Sequence, residues 1–253
     1  MRYALLISYD GTNYGGWQIQ KNSITVQQKL TEALTLTLGK PITVTASGRT
    51  DSGVHASAQV CHFDADTAIP PERLADAVNF HLPEDISVLK SAVAPEGFDA
   101  VASAKKKTYL YRVYLACRRQ PLRDRYAVHI KYPVDLERLA SSGKLFEGEH
   151  DFKAYCASGS QVKTTVRTVY SVETNWVETP FYTDVGIRVT GNGFLYNMVR
   201  TLAGTMLYCS AGRLTEEDII RSLKDRDRNA VGKTMPANGL TLERVDYGID
   251  IFN

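Results

Sequence analysis

The amino-acid sequence predicts an α+β protein made of two α/β-like halves, 1–104 and 105–253, and three observations carry that prediction. Strand patterns and helix patterns alternate twice along the chain. The strand-like opening at residues 3–9 has a counterpart that restarts near Lys107, which sets a boundary near Ala104. A composition of 43% hydrophobic and 23% charged residues in 253 is that of a globular protein long enough to bury one large core or two ordinary ones.

The first half opens with the strand Tyr3-Ala4-Leu5-Leu6-Ile7-Ser8-Tyr9, followed by a loop rich in glycine at Gly11, Gly15 and Gly16. A helix is expected from about Thr25, because Thr25 and Gln28 fit a capping box and Val26, Leu30, Ala33 and Leu34 fall on one face. Ile42, Val44 and Ala46 alternate with Thr43, Thr45 and Ser47, the period of a half-buried strand, and residues 56–63 read as another. Pro71 early in a first turn starts a helix to Asn79, and residues 86–89 read as a short strand. In the second half, Tyr109, Tyr111, Val113 and Leu115 mark one face of a strand that begins near Lys107. Residues 165–172 and 185–190 read as strands, the second with Val185, Ile187 and Val189 on one side. A helix from Phe194 carries Leu195, Met198, Val199, Leu202 and Met206, and another from Thr215 begins with Glu216, Glu217 and Asp218 in its first turn.

Bulk properties exclude several function classes. A net charge of +2 and a pI near 8.3 are too mild to establish a polyanionic partner. The cations cluster, however, at Lys105-Lys106-Lys107, Arg118-Arg119, Arg123 and Arg125, which is either a footprint for nucleic acid or a solvated charged face. Cys61, Cys117, Cys156 and Cys209 form no Cys-x-x-Cys pair, against both a zinc cluster and a disulfide scaffold, and fit a reducing, cytoplasmic setting. The apolar opening is too short for a signal peptide, and the run 194–208 is interrupted by Asn197 and Arg200, so no membrane span is expected.

The strongest chemical candidate is Ser47-Gly48-Arg49-Thr50-Asp51-Ser52-Gly53-Val54-His55-Ala56, which sets Asp51 beside an arginine on a short loop carried by strands. A carboxylate attacks carbon only when ionised, and a neighbouring guanidinium such as Arg49 favours that form through charge-assisted hydrogen bonds. The bland alternative is a polar turn in which Asp51 bonds its own backbone. Asp51, His55, His62 and Asp64 are also donor types that hold a divalent ion, although a lone His in a tight loop commonly makes structural hydrogen bonds. Known phosphate motifs fail: Gly232-Lys233-Thr234 has Asp227 where a P-loop needs glycine, and Gly191-Asn192-Gly193 lacks a third glycine. Tyr109 offers a ring for stacking a base next to cations, or is simply core. Arg200, on an otherwise apolar helix, is costly to bury without a carboxylate, for which Asp51 is the expected partner, or else reaches solvent.

Together these stretches resemble the TruA family of tRNA pseudouridine synthases. The resemblance rests on Tyr9-Asp10-Gly11-Thr12, Gly16-Trp17-Gln18-x-Gln20, Gly48-Arg49-Thr50-Asp51-x-Gly53-Val54-His55-Ala56, Asn79-x-His81-Leu82-Pro83 and Phe98-Asp99-Ala100. It continues through Lys107-Thr108-Tyr109-x-Tyr111-Arg112, Phe194-Leu195-Tyr196-Asn197-Met198-Val199-Arg200 and Gly239-Leu240, in the family's order over nearly the whole chain. Val101 stands where many relatives carry an arginine.

The resemblance implies two similar domains with mainly antiparallel sheets joined around a central basic cleft, a homodimer, and a target in the anticodon stem-loop of tRNA at positions 38, 39 and 40. It implies Asp51 as nucleophile, Arg49 and Arg200 as electrostatic partners, Tyr109 against the target base and Leu240 lining the pocket. No cofactor or metal is implied, because uridine isomerisation breaks the N1–C1′ bond, turns the base and rejoins it through C5 without an external reagent. Attack at C1′, attack at C6 and proton abstraction at C2′ are all open routes. Two other readings use the same residues: a catalytically silent tRNA-binding or folding helper, and metal-assisted phosphodiester cleavage through Asp51 and His55.

Overall fold

The structure, a computed structural model, describes residues 1–157, 159 and 162–252. It divides into two compact units, Met1–Lys107 with Thr241–Asn253, and Thr108–Leu240. The closing segment thus belongs with the first unit, where the sequence pattern puts it in the second.

In the first unit, β1 (Arg2–Tyr9) pairs antiparallel with β3 (His55–Asp64), Leu5 opposite Cys61 and Tyr9 opposite Ala56. On its other side β1 pairs antiparallel with β4 (Ile86–Val93), Tyr3 opposite Val93. The final strand, β10 (Leu240–Asp246), runs parallel to β3, with Thr241 opposite His55 and Leu242 opposite Ala56. The alternation at 42–47 is real in its burial, since Ile42, Val44 and Ala46 are all inside, but only β2 (Thr45–Ala46) is paired, to β3.

Helix α1 (Val26–Leu38) buries Val26, Leu30, Ala33 and Leu34, the face expected from their spacing. Thr25 Oγ1 caps it by accepting from Gln28 N; the Gln28 side chain turns to Glu32 instead of completing a box. Gly39 ends it in the left-handed region at φ +67°, a conformation that carries no penalty without a Cβ. Pro71 opens a short 3₁₀ turn that leads into α2 (Leu74–Asn79).

The C-terminal segment returns to this unit for an apolar reason. Tyr247 and Ile251 join Ala4, Val60, Ala94, Phe98 and Ala100 in one buried cluster. Tyr247 Oη donates to the Ala100 carbonyl. Ala4 lies on the face of β1 opposite to Tyr3, Leu5 and Ile7, so that strand is covered on both sides and reads as nearly continuous apolar sequence.

In the second unit the strand order is β5-β9-β8-β7, for β5 (Lys106–Leu115), β9 (Thr183–Gly191), β8 (Val166–Glu178) and β7 (Gly148–Asp151). β6 (Val128–Ile130) adds in parallel to β5. β9 buries Val185, Ile187 and Val189 on alternate positions, as expected. Helix α3 (Leu136–Lys144), absent from the sequence prediction, packs on β8 and on α4 (Met198–Ser210). Gly143 permits this approach, because a Cβ there would lie 2.7 Å from Val172 Cγ1 and 2.9 Å from Met206 Cε.

Helix α4 begins at Met198, four residues after Phe194. Asn197 takes φ +62°, a left-handed conformation that no α-helix passes through, so Tyr196 and Asn197 form a turn, closed by Met198 N donating to Leu195 O. α5 (Glu216–Asp225) has a full capping box between Thr215 and Asp218.

Candidate active site

The loop that carries Asp51 runs from the end of β2 to the start of β3 and is tied along its length. At its entry Ser47 N donates to Val60 O (2.8 Å), and the Gly48 carbonyl accepts from Gln59 Nε2 (2.8 Å). Ser47 Oγ donates to Gln59 Oε1 (2.6 Å), both groups being buried. At mid-loop the Thr50 carbonyl accepts from Trp17 N (3.0 Å). The Thr50 hydroxyl shares a 2.8 Å hydrogen bond with Tyr9 Oη, whose burial pushes the phenol pKa well above its ordinary value. Asp51 O accepts from Val54 N (3.1 Å), closing the turn through Gly53 at φ +78°. At the exit His55 Nδ1 accepts from Gly11 N (3.0 Å), with Asp10 Oδ1 also 3.0 Å from that nitrogen.

The glycine-rich loop after β1 is the cradle for this turn. A Cβ at Gly11 would stand 2.0 Å from Val54 O, and one at Gly16, already at φ +93°, would stand 2.5 Å from Thr50 O. Backbone therefore lies directly on backbone at both places, which only glycine allows. Sequence reading saw the glycines without their purpose; the signal was their proximity to Trp17 and Tyr9.

Asp51 is half-buried, while Arg49 is exposed and forms no hydrogen bond or ion pair among the described residues. The direct Arg49–Asp51 hydrogen bond expected from sequence is therefore not made. The four groups considered as metal donors do not assemble either. His55 is engaged with Asp10 and Gly11, and His62 Nδ1 accepts from Ala100 N (3.0 Å). No group of three or more His, Cys, Asp or Glu side chains suited to a metal ion occurs among the described residues.

Tyr109, Arg200 and Leu240 belong to the second unit. Tyr109 is buried and meets Phe194 edge-on, with ring centroids 5.2 Å apart at 86°. Arg200 is half-buried near the start of α4, its Nε donating to Met235 O (2.7 Å) and an Nη to Asn197 Oδ1 (2.6 Å). The left-handed Asn197 thus both starts the helix and aims the guanidinium, a role the sequence reading missed. Leu240 is buried behind a 3₁₀ turn, 237–239, held by Tyr111 Oη donating to Pro236 O (2.8 Å) and Asn238 Nδ2 donating to Asp124 O (2.7 Å). Of the expected basic cluster, Arg119 pairs with Asp124, and Arg123 pairs with Asp184 and lies over the Tyr182 ring at 5.0 Å. Those two cations serve the fold, which leaves less free charge for a polyanion than their number suggests.

Asp51 is thus a half-buried carboxylate on a loop whose backbone is held at entry, middle and exit. The tRNA pseudouridine synthase family model matches residues 5–100 and 143–248, and the chain belongs to that family. It is 43% identical over 243 residues to tRNA pseudouridine synthase A of Ruminiclostridium cellulolyticum, covering 96% of this chain and 98% of that one. It is 42% identical over 250 residues to tRNA pseudouridine synthase A of Bacillus subtilis, with 98% and 99% covered. Among solved structures, a chain of a Cbf5-Nop10-Gar1 complex aligns at a TM-score of 0.41 and 14% identity, over 94% of this chain and 57% of that longer one.

Proposed function

We propose that this family member converts uridine to pseudouridine in the anticodon stem-loop of tRNA, at positions 38, 39 and 40, with Asp51 as the nucleophile. The observation that carries the reading is the Asp51 loop, fixed at entry, middle and exit by Gln59, Trp17, Tyr9 and Gly11. A nucleophile held in one geometry avoids reordering when it reacts. Its electron pair opens the route by which the N1–C1′ bond breaks, the base turns and C5 bonds to C1′; the C5 proton passes to solvent, N1 takes one up, and Asp51 is released as the free carboxylate. Atoms and charge balance without an added reagent.

Tyr109 is the ring packed against the base, Arg200 and Arg49 the cations that favour the ionised carboxylate, and Leu240 part of the apolar lining. The target must leave its stack, at about a few kcal/mol, which base contact and phosphate contacts offset. The same reading has the enzyme work as a homodimer in the cytoplasm, where its tRNA is; no helix among the described residues is long and apolar enough to cross a membrane. The test is release of tritium from tRNA carrying C5-tritiated uridine. The wild-type chain releases it, and Asp51→Asn, which removes the charge at nearly constant shape, releases none. Release by Asp51→Asn at the wild-type rate would reject the nucleophile.

A further inference from the structure

Lys107 closes the Lys105-Lys106-Lys107 run and reaches the start of the Asp51 loop. Its Nζ donates to the Ser47 carbonyl (2.5 Å), and a Cβ on Gly48 would lie 3.0 Å from the same nitrogen. The side chain is half-buried and makes no ion pair among the described residues. Burial accordingly lowers its pKa. An ammonium taken from water without a carboxylate partner is a standing cost, and no feature of strand packing requires one at this position.

The bond it makes completes a pattern. Ser47 and Gly48 lead into the loop, four and three residues before Asp51. Gln59 holds the Gly48 carbonyl and the Ser47 hydroxyl, and Val60 O holds Ser47 N. The Ser47 carbonyl is the remaining backbone acceptor of that dipeptide, and Lys107 takes it with a charge-assisted bond, roughly twice as strong as a neutral one. Glycine at 48 leaves room for the ammonium to approach.

We infer that Lys107 is a positioning residue for the reaction: its ammonium locks the entry of the catalytic loop and so fixes the place of Asp51, instead of contacting RNA phosphate. The inference rests on Asp51 being the nucleophile. It assigns opposite signatures to this lysine and to a phosphate-binding one. Loss of a positioning group slows the chemical step on bound tRNA, by about 10- to 100-fold for a displacement approaching 1 Å. Loss of a phosphate contact weakens binding and lowers the slope of log affinity against log salt by about one, with the rate on bound tRNA unchanged.

The experiment measures single-turnover tritium release at saturating enzyme, and tRNA affinity across a salt series, for wild type, Lys107→Met, Lys107→Arg and Asp51→Asn. The expected result is a rate at least about 10-fold lower for Lys107→Met, with affinity and salt slope kept and much of the rate regained in Lys107→Arg. Weaker binding with a smaller salt slope at an undiminished rate overturns the inference. So does a wild-type rate below the melting temperature of a variant that merely unfolds earlier. Should Lys107→Met lose its circular-dichroism signature, Lys107→Gln, which keeps an N–H donor without the charge, is judged by the same criteria. Wild-type release by Asp51→Asn would remove the reading beneath the inference; an inactive Asp51→Asn beside a fully active Lys107→Met removes the inference alone.

Discussion

Single atoms decide the geometry around Asp51. Gly16 sits at φ +93° with no room for a Cβ against the Thr50 carbonyl, one bond from the backbone of Asp51, the proposed nucleophile. Gly16→Ala combines a left-handed strain of about 1–2 kcal/mol with a backbone clash, so the loop has to move. We expect a lower melting temperature and a loss of turnover larger than the loss of stability explains, read by calorimetry together with tritium release. Unchanged turnover in a folded Gly16→Ala would show that the cradle does not set the loop. At this scale the Asp51 turn itself was legible beforehand, since Arg49-Thr50-Asp51 with Gly53 is a local signal. The ties of Gln59, Tyr9 and Lys107 were not, because each joins residues at least 11 positions apart and leaves no local pattern.

Elements explain where side chains aim. Helix α4 has an apolar pattern that sequence reads from Phe194, yet it starts at Met198 because Asn197 is left-handed. The side chain of that residue then accepts from Arg200 three positions on. Asn197→Gly keeps the backbone conformation and deletes the acceptor, whereas Asn197→Ala also introduces strain. We expect both variants to lower turnover through Arg200, and only Asn197→Ala to lower the melting temperature appreciably. Wild-type turnover in Asn197→Gly would detach Asn197 from the site. Helix α1 and β9 were read correctly because one apolar face repeats at the period of each element. Helix α3 was missed because its buried face includes Ser142 and Gly143, which carry no hydrophobic signal.

For the whole molecule, the return of residues 241–253 to the first unit is the main departure from the sequence reading. It depends on Tyr247 and Ile251 finding Ala4, Phe98 and Ala100, partners distant in sequence, Tyr247 and Ala100 being 147 positions apart. His62 is a pH-sensitive support under that cluster. Its Nδ1 accepts from Ala100 N, and burial, with the nearby Arg2, lowers its pKa below 6.5 against the opposing pull of Asp99 and Asp64. A lowered imidazole pKa means that the unfolded chain binds a proton that the native state resists. Stability therefore falls as pH drops below about 6.5 and through the lowered native value, while above 6.5 this group adds no pH dependence. His62→Asn keeps an acceptor for Ala100 N without titrating there, so urea midpoints should fall less between pH 7.5 and 5.5 than in wild type. An imidazole that titrates above 6.5 by NMR would contradict this.

We propose that Asp51 makes pseudouridine in the anticodon stem-loop of tRNA. The most direct measurement is mass-spectrometric mapping of pseudouridine in tRNA taken from cells that lack this activity, after incubation with the wild-type chain or with Asp51→Asn. We expect pseudouridine at positions 38, 39 and 40 with the wild type and none with Asp51→Asn. Unmodified uridine at those positions after treatment with folded, tRNA-binding wild-type protein would contradict it.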